Sequence, residues 1–514
     1  MASRKVNKIT SGRANKSLFL CFLIFIITCF FVYLSTCPLI AQTTLTLEDC
    51  IRMAQEHSPE AKHAQINYLD AWYQYKLYKK SYLPTLSLSG TLPAFNRSIS
   101  KITMPDGTEQ FVSQSVGNYS GSLSLTQPIP FMGGQFFVSS GLQRLDIYQD
   151  STTTSYLANL INIGIRQPFS LFNPYKWERK IEPLYYREAK QIYIETLENA
   201  ALQAIELYFS LLETQTNLEL YTQNKNNTDT LLFIAKDKYQ VGKITEDEVL
   251  QIEVNLLNLT FQIEELQNNL QDKQAELADF LNFHTGDFIL QIPETVAIPI
   301  ISKDQAYEQA IVNGSQEIAH QRRLLESQRE VARTKSENGF SVNLYASFGL
   351  SQSNALFNQA YRNPLDQEQI TLSLNVPILD WGTVKIKRKK AELQLSNVSL
   401  TIEQEKTTFK RQVNNTVNQY NIQSTQLQVV QKTIELSQKR YEMSRERYLG
   451  GKIGFLDYSV AQNEKDRSQI DYIQTLQTSW TKYYEIRKLT LFDFVENKQI
   501  EVESLINNEL ILGR

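Results

Sequence analysis

Residues 434–460 of the chain read IELSQKRYEMSRERYLGGKIGFLDYSV, and this stretch decides the fold. A helical pattern rich in Glu, Gln, Lys and Arg runs into a pair of glycines and resumes a few residues later. In and before it, apolar side chains recur every seventh residue, at Tyr420, Leu427, Ile434, Tyr441 and Tyr448. A seven-residue spacing is typical of the seam along which two helices pack as a coiled coil. The stretch therefore predicts a long helical hairpin that turns at the glycine pair.

The same hairpin occurs twice. A shift of 209 residues places Val241-Gly242-Lys243-Ile244 on Gly450-Gly451-Lys452-Ile453 and Pro168 on Pro377. The repeat mates of the seam follow, interrupted by Lys225: they are Leu211, Leu218, Leu232 and Tyr239. A second shift, of 256 residues, aligns the segments before the hairpins mainly through the order of their elements. The sequence thus predicts a duplication into residues 42–292 and 293–494, followed by a tail at 495–514.

Each repeat contains one very long helical segment. Pro174–Gln240 and Thr383–Leu449 have 67 residues each and show no sustained strand alternation. At 1.5 Å per residue, each helix would be about 100 Å long. Such a helix needs a partner along its length. The predicted hairpins cover 174–285 and 383–493, and shorter helices are predicted over 46–83 and 302–338.

Between the helices, apolar residues alternate with Ser, Thr, Asn, Gly or Arg. The alternation lies within about 85–167 in the first repeat and 341–377 in the second, and it predicts sheets with one apolar and one polar face. The apolar face suits either the core of a soluble sandwich or lipid. Residues 135–147 could add a strand, which would give four strands in the first repeat and two in the second. Long polar loops are expected at 94–118, 148–158 and 351–368, and a tight turn at Pro130–Gly134.

The N-terminus has the pattern of an export signal. Basic residues precede an apolar run from Leu18 to about Ala41, and we expect cleavage after Ala41. A permanent membrane anchor and a lipoprotein signal acylated at Cys37 are the alternatives. We expect 1–41 to be the signal peptide.

Composition argues against several classes of function. A formal net charge of −3 gives no electrostatic footprint for nucleic acid. Three of the four cysteines lie inside the apolar run and the chain has only four histidines, so we expect no metal site and no cofactor. No nucleophile elbow, phosphate loop or HExxH motif occurs, so we expect no enzyme.

The duplicated plan resembles the TolC-like outer membrane efflux proteins. The specific motifs, in order, are Leu47-Glu48-Asp49-Cys50-Ile51, Ser58-Pro59-Glu60, Tyr82-Leu83-Pro84-Thr85-Leu86, Gln127-Pro128, Gln167-Pro168, Val376-Pro377-Ile378-Leu379-Asp380-Trp381-Gly382, and the turns at Gly242 and Gly451. The resemblance implies a mainly α fold in which three protomers share an outer membrane β-barrel, continued by a periplasmic coiled-coil tunnel. The family's usual protomer has four strands, so residues 119–167 imply a larger barrel or an extra external hairpin.

The resemblance also implies a function and partners. It implies a passive outer membrane conduit of a tripartite efflux or type I secretion system, exporting small molecules or proteins. The implied partners are a homotrimer, outer membrane lipid, a periplasmic adaptor and an inner-membrane RND or ABC transporter. The alternative from the residues alone is a structural protein of the envelope, anchored at its N-terminus by the apolar run and built on a coiled coil.

Three groups of site residues follow. Strand–helix junctions are expected at Pro84, Pro128, Pro168, Pro377 and Gly382. The resemblance places the periplasmic tip and adaptor contact at Gly242, Lys243, Ile244, Gly451, Lys452 and Ile453. It matches Glu248 and Asp457 to acids near the closed aperture, where three copies would form a ring. Both are equally explained as first-turn acids favoured by the helix dipole.

Overall fold

The computed structural model describes residues 43–148, 151–170, 172–283, 288–295, 299–337 and 340–501. The expected cleavage after Ala41, acylation at Cys37 and most of the tail lie outside these residues. Contacts divide the chain into two compact units: residues up to Cys50 with Leu207–Glu294, and Ile51–Glu206 with residues from Thr295 onward. The units are defined by contacts rather than by sequence similarity, and the duplication into 42–292 and 293–494 stays a prediction.

Two long helices have the bounds that the sequence predicts. In chain order the helices are α1 (Leu47–His57), α2 (Pro59–Lys80), α3 (Pro174–Gln240), α4 (Glu246–Leu281), α5 (Lys303–Asn313), α6 (Ser315–Glu337), α7 (Thr383–Leu449) and α8 (Phe455–Thr490). α3 and α7 have 67 residues each, and α4 and α8 have 36 each. The bounds of both pairs differ by the 209-residue shift, so the repeat extends to the helix ends. α3 continues through Pro183 in its third turn.

Each of the shorter predicted helices is instead two helices. In the first repeat the break falls at Ser58, whose side chain accepts a hydrogen bond from the Ala61 N–H at 3.1 Å and caps α2. Pro59 follows at the first helical position, where its missing N–H costs nothing. In the second repeat the break falls at Gly314, the C-cap of α5. Local capping therefore overrides the continuous helical pattern of 46–83 and 302–338.

The seven-residue seam is confirmed in α7. Tyr420, Leu427, Tyr441 and Tyr448 are buried, and Ile434 is half-buried. Tyr448 stacks on Tyr458 of α8 with ring centroids 5.5 Å apart, and the tilted ring of Tyr441 lies 5.8 Å from that of Tyr458. The two helices thus form the predicted hairpin seam.

The seam predicted for α3 is only partly right. Leu211 is buried, but Leu218 and Leu232 are half-buried and Tyr239 is 45% exposed. The buried residues of this stretch are instead Leu220, Asn224, Thr228, Leu231 and Ala235. Burying Lys225 would desolvate its charge, and the buried stripe accordingly runs through its neighbour Asn224.

In the first unit, a short parallel sheet joins β1 (Thr43–Leu45) to β6 (Phe288–Leu290). The fully buried Tyr208 of α3 donates its hydroxyl to the carbonyl of Leu45 at 3.2 Å and contacts that of Gln291. The side chain of Gln215 accepts from the Leu290 N–H at 3.2 Å. These bonds fix the carboxyl-terminal ends of both β1 and β6 to α3.

The second unit contains the large sheet. Its strands are β2 (Thr85–Thr103), β3 (Glu109–Ile129), β4 (Gly134–Tyr148), β5 (Thr152–Phe169), β7 (Ser341–Asn354) and β8 (Leu365–Asn375), in the order β2-β3-β4-β5-β7-β8. All neighbours are antiparallel. The first repeat supplies four strands and the second two. Two further short strands, β9 (Phe492–Asp493) and β10 (Lys498–Gln499), pair after α8.

The expected polar loops are mostly strands. β2 and β3 continue through 94–118 and leave only a turn at 104–108, closed by a bond of 2.8 Å from the Met104 N–H to the Thr108 carbonyl. Most of 148–158 is β5, and the third loop shortens to 355–364. Antiparallel pairing is made by the backbone, so a hairpin in water can be polar on both faces. The tight turn at Pro130–Gly134 is confirmed, because β3 ends at Ile129 and β4 begins at Gly134.

A buried ion cluster connects the two repeats within the second unit. Arg487 of α8 donates to Glu198 of α3 at 2.9 and 3.2 Å and to Asp493 at 2.6 Å. Gln55 and Tyr483 add hydrogen bonds of 3.3 and 2.6 Å to the two carboxylates. Burial raises the pKa of Glu198, although the charge of Arg487 opposes the rise. The cluster holds α1, α3 and α8 together.

Among the described residues, no helix is both long and apolar enough to span a bilayer.

Candidate pore-forming sheet and helical tips

One face of the six-stranded sheet is apolar from edge to edge. Because side chains alternate along a strand, the registers place the following residues on one side, called here the apolar face. They are Leu86, Leu88, Leu123, Leu125, Phe136, Val138, Ile161, Ile163, Ile165, Val342, Leu344, Ala346, Phe348, Ile370, Leu372 and Leu374. Many are exposed, among them Leu88 and Ile370 at 80% each. The others are exposed or half-buried, and none is fully buried. A face with so many exposed apolar side chains suits lipid.

The opposite side, called here the polar face, carries hydroxyl and amide side chains. Its members include Thr85, Ser87, Ser89, Ser122, Ser124, Thr126, Gln135, Ser139, Asn162, Asn343, Ser347, Gln369, Thr371 and Ser373. Ser89 and Ser122 share a hydrogen bond of 2.8 Å across β2 and β3. A sheet with one apolar and one polar face is the pattern of a transmembrane barrel wall around water.

On the same side of the sheet, towards the ends of the strands that are far from the long helices, aromatic and charged residues follow the apolar ones. Arg144 donates to Asp146 at 3.0 Å, and its guanidinium lies 5.6 Å from the ring of Tyr119 and 5.9 Å from that of Tyr156. Thr154 adds a bond of 2.8 Å to Asp146. Aromatic rings with polar partners are typical of the water–lipid boundary. This cluster therefore marks one rim of the apolar band.

Within the described strands, the polar face contains one aromatic cluster. Phe137 and Tyr345 stack with centroids 5.7 Å apart, and the Arg166 guanidinium lies 4.9 and 5.7 Å from their centroids. Phe137 is only 5% exposed, and it occupies the space above Gly164, where a Cβ would collide with its ring. Sequence alternation places Arg166 and Tyr345 on the polar face but does not place Phe137, because residues 136–138 are all apolar. The face of Phe137 and the clustering depend on the cross-strand register.

The predicted junction residues take several positions. Pro84 directly precedes β2, and Pro377 is the second residue after β8. Pro168 lies inside β5, paired with Asn343, before the chain enters α3. Pro128 was predicted as a strand–helix junction and this is wrong: it lies in β3, paired with Gln135, and leads into β4. The added hairpin β3–β4 explains the difference.

Gly382 lies at the junction that begins α7. Its φ of 79° is in the left-handed region, where glycine is favoured. The Asp380 carboxylate accepts hydrogen bonds from the Gly382 N–H at 3.0 Å and the Val384 N–H at 2.9 Å. The bonds from Val384 and Gly382 lower the pKa of Asp380. Asp380 thus caps the long helix.

Two glutamines near the ends of the inner strands β3 and β5 have a role that the sequence did not reveal. The Gln127 amide donates to the carbonyls of Tyr82 and Pro128, both at 2.8 Å. The Gln167 amide donates to those of Met132 and Pro168, again at 2.8 Å. Each Gln-Pro pair therefore fixes the end of its strand to a neighbouring segment. The recurrence of Gln-Pro was the available signal.

The two helical turns have the same geometry. Gly242 has a φ of 72° and Gly451 a φ of 68°. In each turn the glycine N–H bonds a carbonyl three residues back, and the following lysine N–H bonds one five residues back, at 2.9–3.0 Å. These two bonds form a Schellman motif, which satisfies the last carbonyls of the helix. Lys243 and Lys452 are exposed beside Ile244 and Ile453, which are half-buried.

The predicted aperture acids occupy equivalent positions in the first turns of α4 and α8. The Glu248 N–H donates to Thr245, the N-cap of α4, at 3.4 Å. The N-cap of α8 is Gly454, which offers no side chain. Glu248 is half-buried and Asp457 exposed. Both acids suit the positive end of a helix dipole, and a role at an aperture stays a prediction.

Comparison with known proteins gives one family. Residues 135–282 and 309–490, well over half of the chain, match the family model of the outer membrane efflux protein. No protein with a curated description matches the chain.

Solved structures share the fold. The Campylobacter jejuni CmeC outer membrane channel matches with a TM-score of 0.62 and 15% identity, covering 86% of this chain and 85% of that one. A membrane protein from Pseudomonas aeruginosa has a TM-score of 0.62 and 13% identity, with coverages of 86% and 90%. The Vibrio cholerae outer membrane protein VceC has a TM-score of 0.58 and 12% identity, with coverages of 88% and 97%.

Proposed function

The chain belongs to the outer membrane efflux protein family, and on that premise we propose that three copies assemble into one passive conduit through the outer membrane. The protein is located in the outer membrane and extends into the periplasm. The observation that carries the proposal is the sheet with a mainly apolar face, a polar face and, within the described residues, two unpaired edges. Cargo passes unchanged, and the conduit itself performs no catalytic step.

The edges of the sheet require a partner. β2 and β8 are the edge strands, and every side chain of β8 is exposed. In lipid, an open edge leaves backbone N–H and C=O groups without hydrogen bonds, at a cost of several kcal/mol each. Pairing β2 of one copy with β8 of the next removes both edges. Closure by three copies gives a barrel with no open edge.

The number of strands sets the width of the pore. Three copies of a six-stranded sheet supply eighteen strands. With strands about 4.8 Å apart and tilted by about 40°, the backbone diameter is about 36 Å, against about 24 Å for twelve strands. Barrels of this size leave an aqueous channel. β3 and β4 thus belong to the wall, because they continue its registers and its apolar face.

The helical hairpins would form the periplasmic part. We propose that the turns at Gly242-Lys243-Ile244 and Gly451-Lys452-Ile453 contact a periplasmic adaptor, which connects the conduit to an inner-membrane RND or ABC transporter. That transporter supplies the energy. Glu248 and Asp457 would lie near the closed aperture at this end. The exposed lysines and first-turn acids offer an adaptor both signs of charge.

Adjacent residues of β7 test the two faces. In outer membrane vesicles, we expect Ser347→Cys, on the polar face, to react with charged, membrane-impermeant thiol reagents. Phe348→Cys, on the apolar face, should react at least about tenfold more slowly, because lipid excludes the charged reagent. Native Cys50 is buried, and the parent protein gives the background. Equal reactivity of both variants, or extraction of the protein with inner membranes, would favour the anchored structural protein.

A further inference from the structure

Along the described strands, Arg166 has no charged neighbour on the polar face. Over the described positions of the six strands, it is the only charged side chain on that face. The other charged residues of the strands lie on the side of the apolar face, towards the far ends of the strands: Arg97, Lys101, Glu109, Arg144, Asp146, Asp366 and Glu368. A lone charge on a wall of hydroxyls and amides dominates the local potential.

The surroundings of Arg166 hold the guanidinium without neutralising it. Its side chain is exposed, and within the described part of the chain no carboxylate pairs with it. The central carbon of the guanidinium lies over the rings of Phe137 and Tyr345, at 4.9 and 5.7 Å from their centroids. A cation–π contact leaves the positive charge in place, and a guanidinium has five N–H donors to offer a ligand. Arg144, by contrast, is paired with Asp146.

The donor set fits an anion. A guanidinium presents parallel N–H groups that match the oxygens of a carboxylate, sulfate or phosphate. The neighbouring aromatic rings add a flat apolar surface. Together they suit an anion that carries an aromatic or apolar body.

We propose that Arg166, with Phe137 and Tyr345, forms an anion-attracting site on the wall of the channel, in three copies, that favours anionic and aromatic-anionic cargo over cations. The inference rests on the proposed function, because it requires the polar face to line the water-filled lumen. Arg166 lies near the end of β5, three residues before the strand stops and eight before α3 begins. Cargo leaving the helical part would meet the three copies as it enters the barrel.

The reactivity of Ser347→Cys measures the local potential without requiring ion conduction. Ser347 pairs with Gly164 and Arg166 with Tyr345, so the two side chains are diagonal neighbours, roughly 7–8 Å apart. The measurement is the ratio of the modification rates with an anionic and a cationic methanethiosulfonate, in outer membrane vesicles at about 10 mM salt. The ratio should fall roughly three- to tenfold when Arg166→Gln is added, and the effect should shrink at about 0.5 M salt.

Arg144→Gln is the matched control. It also removes one arginine from the sheet, but from the side of the apolar face, so the rate ratio at Ser347→Cys should stay unchanged. Arg166→Lys should keep most of the ratio, since the charge remains. A heat-modifiable oligomer on a gel reports folding of every variant.

The outcomes separate the inference from the proposed function. If Ser347→Cys reacts with both reagents and Arg166→Gln leaves the ratio unchanged, the anion site is wrong and the conduit stands. If Ser347→Cys in a folded protein reacts with neither reagent, the polar face does not line water, and both fail. A ratio that falls equally with Arg144→Gln would also overturn the assignment to Arg166.

Discussion

Arg487 is a largely buried charge that pairs with two buried carboxylates in the second unit. It neutralises two carboxylates, Glu198 at 1% and Asp493 at 7% side-chain exposure, and is itself 16% exposed. Buried ion pairs contribute little net stability, but removing one partner leaves a charge without compensation. The cluster therefore matters mainly through what its disruption would cost.

We expect Arg487→Met to destabilise the protein by about 3–5 kcal/mol, since two buried carboxylates lose their counter-charge. The measurement is the shift of the denaturant midpoint of the helical circular dichroism signal. Arg323→Met is the control, because Arg323 pairs with Glu405 near the surface, where an ion pair is worth about 1 kcal/mol or less. Equal shifts for the two variants would show that the loss of Arg487 costs no more stability than the loss of a surface ion pair.

At the scale of elements, the helical turns depend on one backbone angle. Nothing lies within 4 Å of a Cβ added at Gly451, so space does not require glycine there. The requirement comes from its φ of 68°. A side chain with a Cβ pays about 1–2 kcal/mol in this conformation, whereas asparagine tolerates it better than most residues.

Gly451→Ala should therefore lower the stability of the α7–α8 hairpin by about 1–2 kcal/mol, and Gly451→Asn by clearly less. The same order is expected at Gly242. Limited proteolysis at the turn, followed by mass spectrometry, measures the local opening. If alanine and asparagine open the turn equally, the left-handed backbone is not what selects glycine.

The helices were the predictable elements. α3 and α7 are rich in residues that favour helices, and the sequence contains two copies of the same pattern. The two copies predict the same helix bounds, so each supports the other. The strands were predictable in number and in face, because alternation depends only on neighbours in sequence. Their lengths were not, since residues 94–118 are held as strand by backbone pairing rather than by any apolar pattern.

The candidate site was predictable only where it depends on local sequence. The glycines of the turns and Gly382 could be identified because a positive φ is a local demand. Pro128 was assigned to the wrong kind of junction, because its role depends on β4 following β3 in the sheet. The cluster at Arg166 requires Phe137 and Tyr345 from two other strands. The bonds from Gln127 to Tyr82 and from Gln167 to Met132 span 45 and 35 residues, and no single-sequence pattern specifies such partners.

For the whole molecule, the strand number can be tested by cross-linking between copies. If all six strands join the wall, β2 of one copy lies beside β8 of the next. Ser87→Cys combined in turn with Thr371→Cys, Ser373→Cys and Asn375→Cys should give a disulfide-linked trimer with at least one partner. The three partners allow for the unknown register.

The alternative wall has four strands, with β3 and β4 outside it. β2 would then pair with β5, and Ser87→Cys with Asn162→Cys would cross-link within one copy. Such a product, in the absence of any linkage between copies, would reject the eighteen-stranded barrel. Ser87→Cys with Ser124→Cys, on neighbouring strands in the structure, serves as the intramolecular control.

The hairpin β3–β4 also shows how such a pore can change in evolution. β2 and β8 run in opposite directions, because an even number of antiparallel strands separates the two edges of the sheet. Adding one strand would reverse the direction of one edge strand, so that β2 and β8 of neighbouring copies could no longer pair as antiparallel strands. It would also place the following long helix on the wrong side of the membrane. An insertion must therefore come as a pair of strands. With threefold symmetry, the circumference then changes only in steps of six strands, so pores of intermediate girth are topologically forbidden.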